Sequence, residues 1–185
     1  AISYSLPKTV LTNVQLQQQY PQWNFDRLID RTGVAERRIA DKGETALDLA
    51  ETACQALIDK TNISPKDVDG IIFSTQTPDY LIPSNACVLH GRLNLHRHAA
   101  TFDTTGGCAG FIYGLKQAQD MIESQSAETL LLVTGDTYSH FIHNEDRAIR
   151  CLFGDGAAAC LIKKSRGDEG ILDIRLGADG RYYDR

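Results

Sequence analysis

The sequence predicts an α/β layered domain built on a mostly parallel mixed sheet with helices on both faces, and three observations predict it. Residues 70–75, 129–134 and 157–162 are short apolar runs without alternation, as strands covered on both faces require. Amphipathic stretches with apolar residues three and four positions apart lie between and before them, as helices packed on one face require. A 185-residue chain with 42% hydrophobic and 23% charged residues has the material for one well-buried core.

In chain order, Ala1-Ile2-Ser3-Tyr4 reads as the tail of a strand. Over residues 44–61, Leu47, Ala50, Cys54 and Leu57 form an apolar stripe with polar residues between them, which predicts a helix. Ser64 and Pro65 supply an N-cap and a first-turn proline for a short helical turn. The β-branched run 70–75 is a buried strand, followed by a loop through Pro78 and Pro83. Residues 84–95 read as helix, 99–103 as strand and 108–123 as helix. Strands are predicted at 129–134, 157–162 and 171–176. No repeat, low-complexity tract or linker divides the chain, and both ends read as cut from something longer.

Composition excludes several function classes. A net charge of −5 gives no sequence-independent attraction to nucleic acid or anionic lipid. The longest apolar runs fall far short of the ~20 residues that cross a bilayer. The start of the chain carries no charged segment followed by an apolar one, so a cytoplasmic setting is expected. The five cysteines are an odd number without the paired short spacings of zinc sites or disulfide frameworks, so they read as reduced thiols. Cys54, Cys87, Cys151 and Cys160 sit in helical or strand patterns as core filler. His140, His143 and Asn144 fall in a polar stretch whose His-x-x-His pair is a weak metal signal and which reads as a solvated loop.

The remaining cysteine has a different setting. In residues 99–115, AATFDTTGGCAGFIYGL, a strand runs through small residues into Cys108 and directly into a helix. Gly106, Gly107, Ala109 and Gly110 keep bulk from the sulfur and permit a tight turn. The amides and dipole of the following helix favour negative charge, which predicts an accessible thiolate and a place for a carbonyl oxyanion. Taken alone, the same motif is equally a close strand-to-helix packing joint around a buried thiol.

Neighbouring segments shift that balance, because together they resemble the β-ketoacyl-[acyl-carrier-protein] synthase III branch of the thiolase-like superfamily. Asp103, the four small residues 104–107 and Cys108-Ala109-Gly110-Phe111 match the family's active-site cysteine motif. Three further blocks follow the family's order. They are residues 31–38 (RTGVAERR), Thr77-Pro78-Asp79-Tyr80 with Pro83-Ser84-Asn85-Ala86-Cys87, and Asp146-Arg147 with residues 153–158 (FGDGAA). The similarity covers nearly the whole chain and stops where such enzymes are a little past halfway, so residues 1–185 are expected to be the N-terminal half of a thiolase-like synthase.

The resemblance implies an acyltransferase that joins an acyl-CoA primer, acetyl-CoA or a longer or branched one, to malonyl-acyl carrier protein by Claisen condensation through an acyl-Cys108 intermediate. It implies a homodimer, no cofactor beyond the acyl-CoA substrate, and a His and an Asn supplied from beyond residue 185. Arg31 and Arg147 match positions that hold the nucleotide end of CoA, Phe153 an aromatic lining the pantetheine channel, and Ile82 a position whose side chain reaches the neighbouring subunit's acyl pocket. Surface ion pairs for the arginines and core packing for Phe153 remain alternative readings. Residue Gly154-Asp155-Gly156 is expected to be a structural turn. The sequence departs from the family at Arg27, where a tryptophan stacks on adenine, with Trp23 one helical turn earlier. Competing readings are a related thiolase-like acyl transferase, a type III polyketide synthase, or a non-catalytic partner subunit of a heteromeric synthase.

Overall fold

A computed structural model describes the chain apart from residues 24, 26, 27, 166, 168, 169 and 183–185. Strands β1 (Ile2–Ser5), β2 (Thr9–Thr12) and β3 (Glu36–Ile39) and helices α1 (Asn13–Gln19) and α2 (Leu28–Thr32) precede the long helix α3 (Ala46–Thr61). Then come β4 (Gly70–Ser74), α4 (Asn85–Arg92), β5 (Ala100–Thr104), α5 (Gly110–Glu123), β6 (Thr129–Asp136), α6 (Arg147–Arg150) and β7 (Gly156–Lys163).

The main sheet has five strands in the order β1-β7-β6-β4-β5. Strands β4, β5 and β6 are mutually parallel, while β7 runs antiparallel to both β6 and β1. All but β7 therefore share one direction, and the sheet is mixed and mostly parallel. Its two faces explain the unalternating apolar runs. Ile71 and Phe73 of β4, with Leu131 and Val133 of β6, pack under Leu47, Ala50, Cys54 and Leu57 of α3 and Leu89 of α4. Ile72, Leu130, Leu132 and Cys160 face the other way, against Ala118, Leu115 and Phe111 of α5. Each fully buried Leu, Ile or Phe stabilises the fold by about 1.5–3 kcal/mol, so both faces are needed.

Local chemistry sets the boundaries. Helix α3 starts two residues later than the pattern alone indicates, because Thr45 and Asp48 form a reciprocal capping box. It ends at Asn62, which takes a left-handed conformation at φ 52°. Ser64 caps the single turn Pro65–Asp67 as expected.

Several expectations need correction. The strand predicted at 171–176 does not form: Leu172 is 91% exposed, and the segment pairs with no strand among the described residues. Apolar residues cannot hold a strand without a ladder partner. Cys87 is exposed, not core: the buried face of α4 runs through Asn85, Ala86 and Leu89, and position 87 lies on the opposite side. Trp23 is buried and stacks on Tyr20 at 4.0 Å in a small cluster with Leu16 and Cys151, so it offers no face to a ligand. Arg27 lies outside the described residues.

The β2–β3 pair and α1 were not foreseen. Arg37 holds them: it is buried, and its guanidinium donates to Leu11 O (3.0 Å), Asn13 Oδ1 (2.6 Å) and Cys151 O (2.8 Å). Burial lowers its pKa, opposed by the nearby Cys151 and Glu36. Among the described residues no helix is long and apolar enough to cross a membrane.

Candidate active site

Parallel strands deliver their carboxyl ends to one side of a sheet, where α/β proteins place their ligands. Three loops leave that side here, after β4, β5 and β6. The loop after β5 turns through Gly106 and the 3-10 turn Gly107–Ala109 into α5, with Cys108 at its centre and exposed. Two glycines make the turn possible. Gly107 has φ +54°, a left-handed conformation that favours glycine. At Gly110 a Cβ would lie 1.9 Å from Ser74 Oγ, so only a residue without a side chain lets α5 approach β4. No side chain caps α5, leaving its amino-terminal amides and positive dipole end beside the cysteine turn.

Aspartates hold the surrounding loops by accepting backbone donors. Asp103, at the end of β5, takes Asn85 N (2.6 Å) and Ala86 N (2.8 Å) at the start of α4, where Ser84 is the cap. Asp136, at the end of β6, takes Gln76 N (2.7 Å), Thr77 N (3.0 Å) and the hydroxyls of Thr75 and Thr77. The buried Asp155 takes Ala40 N (2.7 Å), Ser139 N (2.9 Å) and Ser139 Oγ (2.5 Å). Its turn is structural, as expected. Replacing Asp155 with alanine strands these donors, and thermal denaturation should show a loss of about 2 kcal/mol, or roughly 4–8 °C for a chain of this size. An unchanged midpoint would refute the clamp.

A cavity of about 480 Å³ opens at this side, lined by Cys108, Gly107, Gln76, Asp136, Tyr138 and Phe153 among others. A larger cavity of about 660 Å³ runs along α5, lined by Tyr113, Lys116, Gln117, Met121 and Leu176. No cysteine lines it, whereas the smaller one contains the exposed Cys108 thiol, so the smaller one is the candidate site.

The structure brings together two of the residues singled out in the sequence, Cys108 and Phe153. Ile82 is 90% exposed on the loop before α4 and lies outside the cavity lining. Arg31 on α2 and Arg147 at the start of α6 are exposed and also outside it. Their helices are joined indirectly: Leu28 of α2 and Cys151, just after α6, pack in one cluster with Leu16 and Trp23. Gln76, Asp136 and Tyr138 were missed. The one available signal was their place just beyond the carboxyl ends of parallel strands. His140 and His143 are exposed, as expected of a solvated loop.

Burial separates the cysteines. Cys54 is fully buried and its pKa is pushed up to about 12 by desolvation. Cys151 and Cys160 are buried and raised by the same cause. Only Cys87 and Cys108 are exposed. Brief iodoacetamide treatment of the native protein should therefore label these two and leave the others until denaturant is added, as peptide mass spectrometry would read.

Mixed sheet, flanking helices and an exposed cysteine on a glycine-built strand-to-helix turn define a thiolase-like protein. The sequence profile described as 3-Oxoacyl-[acyl-carrier-protein (ACP)] synthase III matches residues 102–180, which include Cys108 and Phe153. The β-ketoacyl-[acyl-carrier-protein] synthase III of Caldanaerobacter subterraneus subsp. tengcongensis is 40% identical over 175 residues, 95% of this chain and 52% of that protein. That of Chlamydia caviae is 37% identical over 180 residues, 97% of this chain and 53% of the relative. The crystal structure of the Thermus thermophilus enzyme superposes with a TM-score of 0.91 at 36% identity, covering 97% of this chain and 55% of that one. This chain is similar to 3-oxoacyl-[acyl-carrier-protein] synthase III proteins over nearly its whole length, and it spans about half the length of the curated relatives it matches.

Proposed function

We propose that the protein carrying this chain is an acyl-condensing transferase in which Cys108 holds the acyl group. In the first step the Cys108 thiolate attacks the carbonyl carbon of an acyl-CoA thioester. The carbon–sulfur bond to CoA breaks, CoA leaves as a thiolate that takes up a proton equivalent to the one the Cys108 thiol released, and the acyl group remains as a Cys108 thioester. The amino-terminal end of α5 suits the oxyanion that forms during the attack. In the second step the malonyl group of malonyl-acyl carrier protein loses carbon dioxide. The electron pair released forms a bond from its α-carbon to the acyl carbon, Cys108 departs as the leaving group, and a 3-oxoacyl product results.

The observation that carries this reading is an exposed thiol on a tight turn, opening into a cavity. The test is intact-protein mass spectrometry after mixing with acetyl-CoA: one acyl adduct, mapped to Cys108, is expected. Absence of an adduct would sink the reading, and an adduct on another residue would move the site.

Substrate handling follows from the same reading. Arg31 and Arg147 take the nucleotide end of CoA, a role suited to planar, permanently charged guanidinium groups, and Phe153 lines the pantetheine path to the sulfur. Single alanine variants should then raise KM for acyl-CoA more than they lower kcat. Equal KM values would leave the arginines as surface charges. The reaction as written uses no cofactor besides the CoA ester. A homodimer is supported by the exposed Tyr80, Leu81 and Ile82 loop and by β5 ending the sheet. In that dimer Ile82 meets the partner's acyl pocket and admits longer or branched primers. A preference for acetyl-CoA over isobutyryl- and octanoyl-CoA would count against it. A reducing, cytoplasmic setting suits the five unpaired thiols.

A further inference from the structure

We propose that Tyr138 and Gln76 form a hydrogen-bonded strap beside Cys108, and that this strap limits the size of the electrophile that reaches the sulfur. The strap follows from the register of the sheet. Strands β4 and β6 are parallel neighbours with Ser74 opposite Thr134, so Gln76 and Tyr138 both emerge just past the same end. Asp136, between them, accepts the Gln76 amide at 2.7 Å and fixes the loop that carries it. The Tyr138 hydroxyl then donates to Gln76 Oε1 and closes the bridge between the two loops.

Both ends of the bridge are seated. The Gln76 side-chain amide lies 3.1–3.3 Å from where a Cβ on Gly107 would stand, so it rests against the residue preceding Cys108. The Tyr138 ring meets the Phe153 ring edge-on, with centroids 5.4 Å apart. All of these residues line the cavity that contains Cys108. A ring that merely filled space would need no hydroxyl. Here the hydroxyl converts a side chain free to rotate into a fixed wall, because swinging the ring aside costs its hydrogen bond. Burial, and then the negative charges of Asp136 and Cys108, raise the phenol pKa, so the group remains a donor at neutral pH.

The consequence for acyl donors rests on the transferase reading, whereas access to the thiol does not, and the test separates them. In the natural polypeptide containing this sequence, Cys108 would be alkylated with N-methylmaleimide and N-cyclohexylmaleimide, with Cys87 as the internal standard, and acylated with acetyl-CoA and octanoyl-CoA. The variants are Tyr138→Phe, Gln76→Ala, their double variant, and Tyr138→Ala.

The bulky-to-small rate ratio at Cys108 should rise roughly two- to tenfold in Tyr138→Phe, the factor one neutral hydrogen bond imposes. It should rise similarly in Gln76→Ala, no further in the double variant because the two residues share one bond, and most in Tyr138→Ala. Should Tyr138→Ala fail to fold, the phenylalanine variant decides alone. Unchanged ratios in Tyr138→Phe and Gln76→Ala overturn the strap, even where the wild type is acylated. A shifted maleimide ratio with no acyl adduct in any variant sustains the strap and sinks the transferase reading.

Discussion

Replacing Cys108 with alanine is expected to abolish the acyl adduct and lower condensation on the order of 10³-fold or more, while leaving the unfolding midpoint nearly unchanged. The two halves of this expectation have separate causes. Chemically, no other exposed side chain at the cavity offers a thiolate: Cys87 is on α4, and Cys54, Cys151 and Cys160 are buried. Structurally, Cys108 is exposed, and exposed substitutions away from caps and special backbone angles cost within about 0.5 kcal/mol. The left-handed angle of the turn belongs to Gly107, so residue 108 itself carries no such constraint. Cys108→Ser should lose the adduct as well, because an alcohol ionises far less readily than a thiol and is a much weaker nucleophile near neutral pH. Mass spectrometry beside a thermal melt reads both halves. An adduct that survives in the alanine variant would place the nucleophile elsewhere, and a collapsed melt would reveal the packing joint that the motif alone also allows.

How much of this was legible in the sequence depends on whether a residue's role is fixed locally. Strands β4 and β6 could be read because both of their faces are covered, so Ile71, Ile72 and Phe73, or Leu130 to Val133, need no polar alternation. The cysteine turn was legible because left-handed backbone and close helix approach both demand glycine, and the demand is written beside Cys108. Residues whose work is done across the fold left no such trace. Asp136 looks like a solvated charge, and the motifs that contain Asp103 and Asp155 do not disclose their partners, yet each of the three accepts amides from a distant loop. Arg37 lies within a block already associated with the family, but its bond to Cys151 O spans 114 positions and only folding discloses it. Tyr138 and Gln76 meet because of parallel register, which local propensity does not encode. In the opposite direction, residues 171–176 have the composition of a strand and form none among the described residues, since pairing is a tertiary event.

The strongest structural demand at the site falls on Gly110, and replacing it with alanine should cost about 3 kcal/mol, toward the upper end for overpacking. The new Cβ would stand 1.9 Å from Ser74 Oγ and 3.1 Å from Ser74 Cβ. Rotation of the hydroxyl would relieve the first contact and leave the second. Ser74 is buried at 5% exposure in β4, between β5 and β6, so the strand cannot retreat. The first turn of α5 must move instead, and it carries the Cys108 turn with it. Two readouts should therefore fall together: the thermal midpoint by roughly 6–12 °C, and the rate of Cys108 alkylation relative to Cys87. Combining the change with Ser74→Ala removes the closest clashing atom and should recover a substantial part of the loss. Such non-additivity is the signature of residues in direct contact. If Gly110→Ala melts like the wild type, or Ser74→Ala does nothing to restore it, the close approach of α5 to β4 is not what holds the cysteine at the mouth of its cavity.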